Sequence, residues 1–356
     1  MNDFKKNLKN YSLIELESLV KELGLPRYRA EQIYKAIYVN RIENFDQITN
    51  FPKELRIQFG NSFILNDVVI HRKSVSKDGS VKFLFKLKDG KLIEAVYMPW
   101  LTEEDELERI TLCISSQSGC AIGCKFCATG TMGLMRNIDT AEILDQILLV
   151  EKEMGQKLNN IVLMGMGEPL MNFENVTRAL NILTDEKTEL FSRKKITIST
   201  SGIAPKIIEL AKEPRPVKLA ISLHATTDIS RQMIIPIAKT HTITKLMDAV
   251  EYYYKTTKIP VTYEYIPLLG INDTPEDAKR LARIAKRVPS RINLIPFNDI
   301  SFTGVGGLSS ELKATPKDKV REFAELVRAN GAAVIIRDTF GDDIEAACGQ
   351  LALSEK

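Results

Sequence analysis

Cysteine is scarce in this chain: five residues of 356, three of them inside one short stretch. That pattern does not make the disulfide framework of a small secreted domain. Apolar runs of the ~18 residues that a membrane-spanning helix needs are missing, so no membrane span is expected. The opening MNDFKKNLKNYSL has no apolar core, so no signal peptide is expected, and a reducing cytoplasm is the expected setting. An excess of one charge is missing too. The 49 basic residues nearly balance the 46 acidic ones, for a net +3, so composition alone does not argue for nucleic-acid binding. Local basic clusters stand at Arg27 and Arg29, at His71 to Lys73, at Arg193 to Lys195 and between Lys279 and Arg291. Taken singly, each reads as a solvated face.

What is there is an ordinary soluble composition, 44% hydrophobic and 27% charged, in a chain long enough for a large domain and a smaller one. Residues 1–58 read as a helical module. Ser12 with Glu15 makes a capping-box pattern, Tyr28 to Val39 reads as a second helix, and Pro52 opens a third. The module is either an RNA-binding accessory domain, using Arg27, Arg29, Lys35 and Arg41, or a packing module with a polar outside. Residues 59–100 read as hairpin strands turning at Lys-Asp-Gly, at 77–79 and 88–90.

From residue 101 to 356 the pattern becomes strand, then helix, repeated. Short apolar runs at 110–115, 160–164, 196–200, 218–222, 261–266 and 292–296 alternate with amphipathic segments, and 332–338 supplies a last strand. This predicts an α/β fold of right-handed parallel units, either an open doubly wound sheet or a barrel. Polar residues cluster just past these runs: Gly165 to Pro169, Ser199 to Gly202, Ser222 to Ala225 and Asn293 to Asn298. Carboxyl ends of barrel strands are where active sites are built, so these groups are expected to converge on one mouth.

The same end carries Cys120, Cys124 and Cys127, spaced C-x3-C-x2-C after the β-branched run Ile110 to Ile114. Iron–sulfur clusters are usually held by four cysteines and structural zinc by four ligands. Three thiolates on a 4Fe–4S cube leave one iron open to a ligand. A zinc site completed by Cys113, Cys348 or His224 is the alternative.

The loop, with Phe126 one residue before its third cysteine, resembles the signature of the radical S-adenosylmethionine (SAM) superfamily. Within it, CxxxCKFCATG, MGMGEP, STSG, SLHA, NLIPFN and GDDIEAACGQL resemble the radical SAM RNA methyltransferases that act on adenosine, the RlmN branch above all. The likeness covers nearly the whole chain. It implies a partial (βα)6 TIM-like barrel with a small N-terminal helical accessory domain, and a 4Fe–4S cluster on Cys120, Cys124 and Cys127. It implies SAM held by Gly167, Glu168, Ser199, Ser222, Leu223, His224 and Asn298. The substrates it implies are an adenosine of the 23S rRNA peptidyl-transferase centre and the tRNA adenosine beside the anticodon. An external flavodoxin- or ferredoxin-like electron donor and a monomeric enzyme are expected.

The resemblance also gives the isolated cysteines roles. Cys348 takes a methyl group from a first SAM, and a second SAM supplies the radical that activates it. The resulting carbon radical adds to C2 of adenine, Glu94 accepts the C2 proton, and Cys113 frees the product by forming a disulfide with Cys348. The segment between Glu94 and Cys113 is longer than the family pattern, through WLTEEDELE, so the role of Glu94 depends on that insertion leaving its strand in register. Pro169 favours the C2 branch over the sister C8 enzymes that confer antibiotic resistance.

Overall fold

Ser12 and Glu15 close the expected capping box on helix Leu13–Glu22. Helices Tyr28–Tyr38 and Lys53–Ser62 follow. The computed structural model describes residues 5–102, 104, 106–188 and 190–353. The first four residues and the last three, together with Glu189 and with Glu103 and Asp105 of the WLTEEDELE segment, lie outside them. The helical module is docked on the remainder by buried polar contacts. Lys9 forms an ion pair with the fully buried Asp145, its ammonium also reaching Asn66 at 2.8 Å. Asn10 accepts from the Ala141 N–H at 2.7 Å, and Arg41 pairs with Glu151 at 2.6 Å.

The run at 63–76 reads as one strand in the sequence, but Asn66 and Asp67 break it. Its first part, β2 (Phe63–Ile64), pairs in parallel with β1 (Lys6–Asn7) in a separate two-stranded sheet. Its second part, β3 (Val69–Val75), opens the main sheet. It is followed by β4 (Val81–Lys86), β5 (Leu92–Leu101) and β6 (Leu107–Cys113), joined antiparallel to one another. A short hairpin of β7 (Gln117–Gly119) and β8 (Leu134–Asn137), not foreseen in the sequence, brackets the cysteine loop.

The parallel strands are then β9 (Asn160–Leu163), β10 (Ile196–Thr200), β11 (Lys218–Ser222), β12 (Val261–Tyr265), β13 (Ser290–Leu294) and β14 (Val334–Ile336). Among the described residues ten strands form one sheet, in the order β14-β13-β12-β11-β10-β9-β6-β5-β4-β3. The six expected βα units (β6 and β9 to β13) are its centre, and the architecture is the partial barrel. The hairpin strands expected as a connection continue the same sheet through β5, so no break marks residue 100. The insertion lengthens the β5–β6 hairpin, and β5 keeps its pairing with β4, Glu94 opposite Leu84.

Helices between the strands cover the outer face. Helix Thr140–Met154 is fixed by an Asp139–Glu142 capping box and ends at Gly155 in the left-handed region. No helix of the described residues is long and apolar enough to cross a membrane.

Candidate active site

The β7–β8 hairpin carries the loop from Cys120 to Gly133 as its tip, with the Cys120 N–H bonded to the Gly133 carbonyl at 2.9 Å. Gly130 must lack a side chain, because a Cβ there would meet the Cys124 carbonyl at 2.8 Å. Cys120, Cys124 and Cys127 all line one cavity at the carboxyl ends of the strands. Burial, with mutual repulsion, pushes the Cys120 thiol up to about 12 and that of Cys124 well above its usual range. Such a trio becomes thiolate only when a cationic centre compensates it. Among the described residues, no three His, Cys, Asp or Glu side chains converge on a single-ion point. Three thiols on one loop suit a cluster that leaves one iron open to a ligand. His224 and Cys113 do not complete a zinc site: the His224 Nδ1 accepts the Ile266 N–H at 3.2 Å, and Cys113 lines a different cavity.

The strand ends supply the other wall of the first cavity. At Gly167, φ is +99° and a Cβ would stand 2.5 Å from Gln117 Cβ, so only glycine fits. Glu168 is buried, and its carboxylate accepts the N–H groups of Ser201 at 2.7 Å and Leu170 at 3.0 Å. Each oxygen keeps acceptor capacity for a ligand's ammonium. Ser199 and Ser222 line the cavity with their hydroxyls 3.4 Å apart. His224 lies against Phe126, ring centroids 4.6 Å apart, and burial holds its pKa near 3, so the ring stays neutral.

Two residues expected to contact SAM do not line this cavity. Leu223 is buried in the core and does not line the cavity; its carbonyl accepts from Arg231 Nε at 3.1 Å. Asn298 does not line it either, and donates to the Cys348 carbonyl at 3.0 Å.

A second cavity lies at the amino ends of the strands, lined by Asn160, Thr197, Lys218, Thr262 and Arg291 among others. One cross-strand row, Val96–Cys113–Val162–Thr197–Lys218, faces it. Five residues line both cavities: Met164, Glu264, Ile295, Cys348 and Gly349. Cys348 is thus exposed at the point where the two meet. Desolvation by the surrounding protein, and then the neighbouring Cys113 and Cys127, push its thiol up to about 12. Cys113 is pushed equally high by burial, and both thiols are free. The Cys348 segment is pinned to the cysteine loop: Ala128 N–H donates to the Gly349 carbonyl at 2.7 Å, and the Thr129 hydroxyl to the Leu351 carbonyl at 2.6 Å.

Glu94 lines neither cavity. It is buried beneath the end of that segment, one oxygen accepting the Leu353 N–H at 3.1 Å and the other 3.7 Å from Lys82. Burial raises its pKa against the pull of Lys82.

Sequence reasoning missed two groups. Glu264, in VTYEYI, is buried, held by Asn293 Nδ2 at 3.0 Å, and pushed up to about 7 by burial. Arg231, fully buried, donates to the carbonyls of Ser201, Ser222 and Leu223 at 2.5, 3.2 and 3.1 Å, tying two strand ends together. A polar residue inside an apolar strand run signalled the first; no signal marked the second.

A parallel-strand barrel with three cysteines on the loop after its first strand and a polar pocket across its carboxyl ends defines a radical SAM enzyme. The Radical SAM superfamily model matches residues 114–283, and the model of a ribosomal RNA large subunit methyltransferase N-terminal domain matches residues 6–65. A dual-specificity RNA methyltransferase RlmN of Geotalea uraniireducens is 41% identical over 347 residues, covering 98% of this chain and 96% of that protein. An RlmN-type protein of Thermotoga neapolitana is 43% identical over 352 residues, covering 99% and 98%. The crystal structure of a radical SAM methyltransferase from Sphaerobacter thermophilus superposes with a TM-score of 0.87 at 38% identity, covering 97% of this chain and 99% of that one. The chain belongs to the RlmN family of radical SAM RNA methyltransferases.

Proposed function

We propose that this enzyme methylates C2 of adenosine in 23S rRNA and in tRNA, with Cys348 as the methyl carrier. The observation that carries this reading is the position of Cys348 at the junction of the two cavities. A carrier must reach a methyl donor on one side and an acceptor base on the other. Cys120, Cys124 and Cys127 would hold a 4Fe–4S cluster, and Gly167, Glu168, Ser199, Ser222 and His224 would hold SAM. Together these groups supply a methyl cation equivalent and, on one-electron reduction by an external flavodoxin- or ferredoxin-like donor, a carbon-centred radical.

The chain's own residues do the rest. Adenine C2 is electron-poor, so a cationic methyl does not transfer to it directly. Cys348 therefore takes the methyl on sulfur first and presents it to the second cavity, where an unstacked adenine can enter. Loss of one hydrogen atom from the S-methyl group to the radical would let its carbon bond to C2. The adduct then gives its C2 proton to Glu94, whose raised pKa suits a proton acceptor, once the segment at Leu353 moves off that carboxylate, and one electron returns to the external carrier. Cys113, in the second cavity, then bonds to the Cys348 sulfur, breaking the bond from that sulfur to the product carbon. The chain acts as a monomer.

Intact-protein mass spectrometry tests the carrier step. After incubation with SAM, peptide mapping should find one added methyl group on Cys348. An unmodified Cys348, from protein that still cleaves SAM, would contradict the reading.

A further inference from the structure

Several members of the basic clusters visible in the sequence form ion pairs in the fold. Arg27 pairs with Glu17, Lys35 with Glu31, Arg41 with Glu151, and Lys73 with Glu153. Lys279 pairs with Glu276, Arg280 with Asp277, and Arg287 with Asp248 and Glu251. Five cations outside these pairs, two of them (Lys195 and Arg291) from those clusters, converge on the second cavity: Arg109, Lys195, Lys218, Arg291 and Arg337. They are far apart in sequence and are gathered by strand register. Lys218 begins β11, Arg291 follows the first residue of β13, Lys195 immediately precedes β10, and Arg109 lies in the first half of β6.

Among the described residues none of the five forms an ion pair, and the acids lining the same cavity are Glu264 and Asp338. The guanidinium groups of Arg109 and Arg337 lie over the Trp100 ring at 4.3 and 4.8 Å, which fixes them at the cavity wall. Burial, and then repulsion from Arg291, Lys195 and Arg109, lowers the pKa of Lys218. Like charges gathered in this way cost the fold stability unless an anion joins them.

We propose that this ring of cations is the phosphate seat of the RNA substrate, so that the target nucleotide enters the barrel from the amino ends of the strands, opposite the cysteine loop. The inference rests on the RNA-methylating reading above and adds the direction of entry and the residues that hold the backbone. With phosphates on Lys195, Lys218 and Arg291, a base unstacked into the cavity points toward Cys113 and Cys348. Trp100 and Phe340, ring centroids 4.5 Å apart, line the same cavity and offer apolar surface beside the ribose.

The test is the salt dependence of RNA binding by the reconstituted holoenzyme, read by fluorescence anisotropy with an adenosine-containing RNA hairpin. The double variant Lys218→Gln/Arg291→Gln should bind about 10- to 100-fold more weakly at low salt, and its slope of log K against log salt should flatten by about 1 to 2. SAM binding should be unchanged, because neither residue lines the SAM cavity. Arg283→Gln, an exposed charge loss on the outer helix Pro275–Ala285, should leave affinity and slope as they are. If the double variant folds poorly, Lys195→Gln alone, at an exposed position, should still flatten the slope by about 1. Unaltered affinity and slope in folded cavity variants, from an enzyme that still methylates RNA, would overturn the entry route and leave the function standing. Failure of the wild-type protein to bind or methylate RNA would overturn both.

Discussion

Cys113 and Cys348 line the same cavity at the amino ends of the barrel strands, and of the two only Cys348 also lines the cavity at their carboxyl ends. The asymmetry separates their proposed roles. A thiol that sees both cavities can receive a group from one and deliver it to the other. A thiol confined to the substrate side can act only after delivery.

Asn298 holds the carrier directly, through its bond to the Cys348 carbonyl, beside the two bonds that pin the flanking residues to the cysteine loop. Asn298→Ala should leave SAM affinity within about twofold, yet slow methylation of Cys348 by about 10- to 100-fold, since displacements near 1 Å cost that much in aligned reactions. Isothermal titration with SAM and a time course of peptide mapping would separate the two. A large loss of SAM affinity would instead assign Asn298 to SAM.

Arg231 holds the strand ends of the SAM wall. Arg231→Met should remove the side-chain donor from the buried carbonyls of Ser201 and Ser222, while the Leu223 carbonyl keeps the Ala225 N–H, and cost about 1–3 kcal/mol in urea denaturation. SAM binding should weaken with it, because Ser199 to Ser201 and Ser222 to His224 lose their common tie.

Asp145 and Lys9 join the helical module to the barrel. Asp145→Ala leaves the Lys9 ammonium buried and unpaired, at a cost of about 3–5 kcal/mol. Limited proteolysis of the variant should cut first around the junction at residues 63–68. Wild-type resistance there would show that the module is held by its apolar contacts alone.

Glu264 ties stability to pH. Its folded pKa of about 7 lies above the ordinary 4.5, so the folded chain keeps a proton that the unfolded chain has lost. The contribution of this group to stability therefore falls as pH rises from about 4.5 through 7, by on the order of 3 kcal/mol once both states are ionised. Glu264→Gln should be close to wild type in stability near pH 4 and more stable above pH 7, read as the difference between the two denaturation midpoints.

The barrel was legible because buried parallel strands read as nearly continuous apolar runs, as in ITIST and KLAIS. The cysteine loop was legible because its ligands are local in sequence. What stayed hidden depends on register and on long-range contact. Lys218 faces Thr197 across β10 and β11, and nothing in either segment announces a shared cavity with Arg109. Nothing near Asn298 in the sequence announces its bond to the carbonyl of Cys348, 50 residues on. The strand expected across Asn66 and Asp67 is interrupted by long-range contacts as well: their side chains bond to Lys9 and to Asn7.

The most direct test of the central claim is nucleoside mass spectrometry of 23S rRNA fragments and tRNA, unmodified at the outset, after reaction with SAM, a reductant and the reconstituted enzyme. Wild type should yield 2-methyladenosine, and Cys348→Ala should yield none while its cluster and SAM binding remain intact. Formation of 2-methyladenosine by Cys348→Ala would contradict the carrier role, and 8-methyladenosine from wild type would contradict the assignment to C2.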